Sequence, residues 1–82
     1  MITSDQIRAA RALLRWSSND LSHYSGVGIA TIKRMESMNG VPAGNIKTLM
    51  LFKKAFEEAG VEFIGTPEDS PGVRLTKKVH HS

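Results

Sequence analysis

Three histidines, eleven lysines and arginines, eight acidic residues and no cysteine are the groups with which this 82-residue chain could do chemistry. Most of them are badly spaced for catalysis. His23 stands alone in the chain's middle, and a satisfied or solvent-facing imidazole is its simplest reading. His80 and His81 sit side by side at the end, where they could catch metal only adventitiously. None of the serines is paired with a plausible base, and none of the seven glycines forms a phosphate-cradling loop after a strand. Without cysteine there is neither a disulfide framework nor a thiolate metal site. The expectation is a protein that is not an enzyme and holds no metal or cofactor. What remains is cationic chemistry. Residues 1–56 carry eight basic side chains against three acidic ones, a balance of +5, whereas residues 57–82 carry three against five. Guanidinium and ammonium groups neutralise phosphates and release their counterions. Arg34 also has the two-pronged donor that suits the edge of a guanine. A solvated basic surface is the plain alternative.

The positioning of these cations rests on Ser18 to Ser37, SNDLSHYSGVGIATIKRMES. It holds two short helical patterns separated by Gly26 and Val27. Apolar residues fall at Leu21, Val27, Ile32 and Met35, and small ones at Ser22 and Gly26. Two helices that cross through a short turn need a small residue where they meet and often a glycine in the turn. Ser17 is the expected N-cap of the first of the two, with Asn19 and Asp20 in its first turn. Trp16 before that cap can act as a hydrophobic staple, and Leu21 and Tyr24 are expected to face inward. Gly26 should end that helix in a left-handed conformation. Gly28 takes the N-cap position of the next, which runs over 29–37 with Ile32 and Met35 inward. Ile29, Ala30, Lys33, Arg34 and Ser37 are left outside or at the edge. An isoleucine on an exposed first turn fits contact with thymine methyls.

Flanking elements complete the domain. Thr3 or Ser4 caps a first helix at about 4–15, with Ile7, Ala10, Leu13 and Leu14 at helix spacing. Arg8, Arg11 and Arg15 recur at three and four, which predicts one shared, solvated outer face. Residues 38–44 form a turn-rich connection. Asn45 reads as the N-cap of a fourth helix whose stripe is Ile46, Leu49, Phe52, Phe56 and Ala59, closed by Gly60. Beyond it, 61–64 and 73–76 read as a loose antiparallel pair around the turn segment GTPEDSP, and 77–82 as a frayed tail.

Size and composition agree with one small soluble domain: 40% hydrophobic, 23% charged, net charge +3. No apolar run approaches the roughly 20 residues that span a bilayer. The first residues, MITSDQIRAARA, lack a signal peptide's apolar centre. A cytoplasmic protein without membrane contact is expected.

On these residues the stretch 18–37 resembles the helix-turn-helix of the Cro/C1-type (XRE-family) repressors, and NIKTLMLFKKAFEEAGVEFIG resembles their fourth helix and the small-protein ending common in that group. The resemblance spans about residues 4–65, with Thr31-Ile32 and the subsequent Glu36 as its most specific local sign. It implies a mainly all-α fold: a four-helix lambda-repressor-like DNA-binding domain over 1–60, here succeeded by a short two-stranded β segment over 61–76. It further implies regulation of transcription, as a repressor, by a homodimer on double-stranded DNA. Carried over by position, base contacts fall on Ile29, Ala30 and Arg34. Phosphate contacts fall on Ser18, Thr31, Lys33, Asn45 and Lys47. The chain departs from the family at three places. Ser18 stands where glutamine is frequent, Gly28 replaces a serine or threonine cap, and Ile29 and Ala30 replace polar readers. Arg34 is left as the one strong hydrogen-bonding reader, so shape readout gains weight. The ribbon at 61–75 is the candidate dimer contact. A protein-interaction adaptor or antitoxin-like module on the same fold is the alternative, with Ile29 as its apolar anchor.

Overall fold

Local capping decides where the first helix starts. In the computed structural model, which describes residues 2–42 and 46–76, four helices precede a two-stranded antiparallel sheet. They are α1 (Ser4–Leu14), α2 (Ser18–Ser25), α3 (Ile29–Glu36) and α4 (Ile46–Glu58), then β1 (Val61–Thr66) and β2 (Asp69–Leu75). The domain is mainly helical. Thr3 rather than Ser4 is the N-cap of α1: its hydroxyl accepts from the Gln6 amide at 3.0 Å, and the Gln6 side-chain oxygen accepts from the Thr3 amide at 2.9 Å. Two free amides of the first turn are thereby satisfied. The helix stops at Leu14, short of the predicted 15, because Arg15 turns left-handed (φ 57°) and its amide closes on Ala12.

One cluster forms the core. Ile2, Ile7 and Ala10 meet Leu21, Val27, Ile32 and Met35 from the two-helix stretch, and Leu49, Phe52, Phe56 and Val61 close it from the other side. Phe52 and Phe56 have no exposed surface, and burying each contributes on the order of 2–3 kcal/mol. The predicted α4 stripe holds at Leu49, Phe52 and Phe56, and Ala55 joins it. Ile46 does not: it is 58% exposed, because it lies roughly a quarter turn around the helix from the Leu49–Phe52–Phe56 face. Ala59 is only half-buried.

The strands are longer and tighter than the sequence pattern predicts. Val61 pairs with Leu75, Phe63 with Val73 and Ile64 with Gly72, and pairing resumes at Thr66 with Asp69. Pro67 and Glu68 alone make the turn. The register slips between Ile64 and Thr66, where Gly65 (φ 75°) and Ser70 (φ 54°) have left-handed backbones. A side chain at Gly65 would lie 2.1 Å from the Ser70 carbonyl, so glycine is required there. A two-stranded ribbon is marginal alone, and this one is tied to the helices. Gln6 Nε2 donates to the carbonyls of Gly72 (2.8 Å) and Ile64 (3.2 Å). Val61 enters the core, and Phe63 and Val73 pack against it.

Candidate nucleic-acid interface

The elbow between α2 and α3 is built from its caps inward. Ser17 and Asp20 form a second reciprocal box: the Ser17 hydroxyl accepts from the Asp20 amide (3.0 Å) and the Asp20 carboxylate from the Ser17 amide (2.8 Å). Gly26 ends α2 at φ 77°, its amide donating to Ser22 O at 2.9 Å. The Ser25 hydroxyl then accepts from the Val27 amide, which turns Val27 into the core, 8% exposed. Gly28 begins α3 without a side-chain cap. Leu21 and Ile32 are fully buried and Met35 nearly so, so the two helices are held by apolar contact from both sides.

α3 has only eight residues, too short to hold itself, and α1 supplies what it lacks. Arg11 grips the Glu36 carboxylate with two bonds, Nε to Oε2 at 2.7 Å and Nη2 to Oε1 at 2.8 Å, and its third donor reaches Trp16 O at 3.0 Å. Arg8 donates to the Glu36 carbonyl and to Asp5, and Ser4 Oγ donates to Met35 O at 2.8 Å. The last carbonyls of α3 are thus capped from another helix. Hydrogen bonding to Glu36 raises the Arg11 pKa above its ordinary value, burial opposes this, and the Glu36 charge adds to it. These contacts correct the predicted arginine stripe. Arg11 is half-buried and committed to Glu36, Arg8 reaches the end of α3, and only exposed Arg15 fits a solvated face. The signal for this pair was Glu36 standing four residues after inward-facing Ile32, on the same side of a helix.

Ile29, Ala30, Lys33 and Arg34 are exposed on α3, in two adjacent rows of i, i+4 spacing. Ile29 is 37% exposed. Thr31 and Ser18 are half-buried, Ser18 as the first residue of α2, where free amides point outward. Lys47 lies exposed in the first turn of α4 and has an interaction of its own. Asn45 lies outside the described residues, as do His80 and His81. α3 ends at Glu36, with Ser37 as its C-cap bonding back to Arg34 O through its hydroxyl at 2.7 Å. Arg34 therefore projects from the last turn of a helix whose end is closed on both sides.

Tyr24 departs from expectation. It points outward, 59% exposed, and lies on Trp16 with ring centroids 4.6 Å apart and planes at 13°. Trp16 is itself stacked on Phe56 at 5.5 Å. The inward positions of α2 are already filled by Leu21 and Ser25, so the tyrosine covers the tryptophan from outside. No described helix is long and apolar enough to cross a membrane. Comparison with models of known protein families, with curated proteins and with solved structures finds no match.

Proposed function

We propose that this chain is a sequence-specific double-stranded DNA-binding transcriptional regulator of the Cro/C1 type, a repressor, in which α3 lies in the major groove. Its helical body is read as lambda-repressor-like. The observation that carries the reading is the short α3, clamped by α1 at its C-terminal end and presenting Ile29, Ala30, Lys33 and Arg34 outward from a helical body, residues 1–58, with a balance of +3. Arg34 offers two donors to a guanine, while Ile29 and Ala30 offer apolar contact to thymine methyls. Ser18, Thr31, Lys33, Asn45 and Lys47 are assigned to phosphates. They fix register without reading sequence. One such unit touches few base pairs, and a homodimer spanning half-sites one turn apart gains both affinity and specificity. The ribbon β1–β2 is assigned to that dimer contact, through a strand edge or through apolar packing on Leu75, which stands 51% exposed. Placement in the cytoplasm goes with this reading.

Selection of bound sites from random duplexes tests it, with titration of the selected site at two salt concentrations as the second step. A two-fold symmetric site bound with steep salt dependence is expected. Absent or salt-insensitive binding would sink the idea. The exposed apolar Ile29 also favours a second reading, an adaptor or antitoxin-like module whose α3 docks on a protein. A single stoichiometric protein partner, co-purifying without nucleic acid and lost on Ile29→Asp, would replace the DNA assignment.

A further inference from the structure

The connection from α3 to α4 holds an asparagine followed directly by a glycine, Asn39 and Gly40. Both are exposed and lie in bent backbone just past the C-cap of α3, with Gly40 left-handed (φ 66°). What holds the segment is the Gly40 carbonyl, which accepts from the Ser4 amide at 2.9 Å. That bond satisfies a free donor of the first turn of α1, and Ser4 Oγ in turn donates to Met35 O near the end of α3. Neither the Gly40 amide nor the Asn39 side chain has a hydrogen-bond partner among the described residues.

This leaves an electrophile beside a nucleophile. The side-chain carbonyl carbon of an asparagine lies within reach of the next residue's main-chain nitrogen, and bonding between them closes a five-membered ring. Three things ordinarily prevent it: a Cβ that shields the nitrogen, a hydrogen bond that occupies its N–H, and a helix that fixes the backbone. None of these stands at Gly40 among the described residues; it lacks a Cβ and has open space where one would be. Asn19 supplies the contrast within the same chain. It lies in the first turn of α2, and the amide that would attack it, that of Asp20, donates to the Ser17 hydroxyl at 3.0 Å.

We propose that Asn39–Gly40 is a self-modification site, at which the chain converts Asn39 to isoaspartate and aspartate without an enzyme. The deprotonated Gly40 nitrogen bonds to Asn39 Cγ, the Cγ–Nδ2 bond breaks, and Nδ2 leaves as ammonia. Water then opens the cyclic imide. Opening at Cγ gives aspartate, whereas opening at the main-chain carbonyl gives isoaspartate, whose main chain is longer by a methylene. In sum, an amide and water become a carboxylate and ammonium. Either product sets a negative charge just beyond α3, at the end where the helix dipole is already negative. Isoaspartate also displaces the Gly40 carbonyl from Ser4 and so loosens the hold of α1 on the end of α3. The site stands whether or not the chain binds DNA.

The full chain is incubated at physiological temperature and mildly alkaline pH, and its peptides are followed by mass spectrometry with fragmentation that separates the two acids. Conversion at Asn39 through the ring-closed species is expected, with isoaspartate the larger product and Asn19 intact. The native chain should convert at a rate comparable with that of the urea-unfolded chain, and Asn39→Gln should abolish the acidic species at this position. The isolated isoaspartyl form should melt below the Asn39→Asp variant, which carries the same charge on an ordinary main chain. A native chain whose Asn39 persists while the unfolded one converts, or conversion at Asn19 as fast as at Asn39, overturns the proposal. Equal melting temperatures overturn the coupling to the hold on α3.

Discussion

Arg34 and Lys47 are predicted to fail differently when truncated, and the difference separates base reading from phosphate contact. Arg34 is exposed at the end of a clamped helix, so Arg34→Ala should relax discrimination at one guanine by about 1–3 kcal/mol. Lys47→Ala should weaken every duplex alike and lower the log–log salt slope by about one. Competition binding against site variants checks both, and a uniform loss in both mutants would reduce Arg34 to a phosphate contact. Glu36 belongs to stability rather than to contact. Its carboxylate takes two bonds from Arg11 with only 10% of its side chain exposed. Glu36→Ala should lower unfolding free energy by about 1–3 kcal/mol, read by urea denaturation. The raised Arg11 pKa has a definite pH consequence. A cation whose folded pKa is raised stabilises fully below its unfolded value and loses this only as pH rises past it. For an arginine that window is strongly alkaline, so Arg11 should contribute no slope to stability through neutral pH.

At the scale of elements, two joints carry the architecture. Gly26 has φ 77° with open space around the position of a Cβ. Gly26→Ala should therefore meet backbone strain alone, about 1–2 kcal/mol, with the fold retained by circular dichroism. The second joint is Gln6, whose side chain caps α1 and holds both strands through the carbonyls of Ile64 and Gly72. Gln6→Ala removes both functions, and amide exchange should accelerate selectively in β1 and β2 before global unfolding. Exchange unchanged in the strands would mean that Val61, Phe63 and Val73 hold the ribbon unaided.

For the whole molecule, charge and symmetry are the measurable consequences. The helical body, residues 1–58, carries a balance of +3, whereas residues 59–82 carry three basic and three acidic side chains, so a polyanion should meet the chain from its helical side. Affinity for duplex should fall with salt in proportion to the phosphates neutralised. Leu75→Lys changes an exposed position on one face of the ribbon and Ile64→Lys one on the other, and the variant on the contact face should shift a dimer toward monomer in sedimentation without changing the helical content. An unaltered sedimentation profile moves the dimer contact elsewhere.

The sequence by itself determined the elements whose causes are local. Ser17, Gly26 and Gly28 mark helix ends because caps and left-handed turns depend on one or two residues. Ile32 and Met35 were legible as inward because helix spacing puts them on one side of α3, and Leu21 and Val27 because apolar side chains must fill the elbow between the two helices. The exposure of Ile29, Ala30, Lys33 and Arg34 came from the same periodicity, and their binding target is a matter for the duplex experiments. Tertiary structure decided everything that depends on a partner distant in the chain. Arg11 turned from solvent to Glu36, 25 residues away, and Gln6 reached strands about 60 residues on, at Ile64 and Gly72. Tyr24 left the core because Leu21 and Ser25 had filled it, and Ile46 because α4 presents another face. A periodic pattern says which residues share a side of a helix. Which side meets another element, and which polar group waits there, is set only when the helices pack.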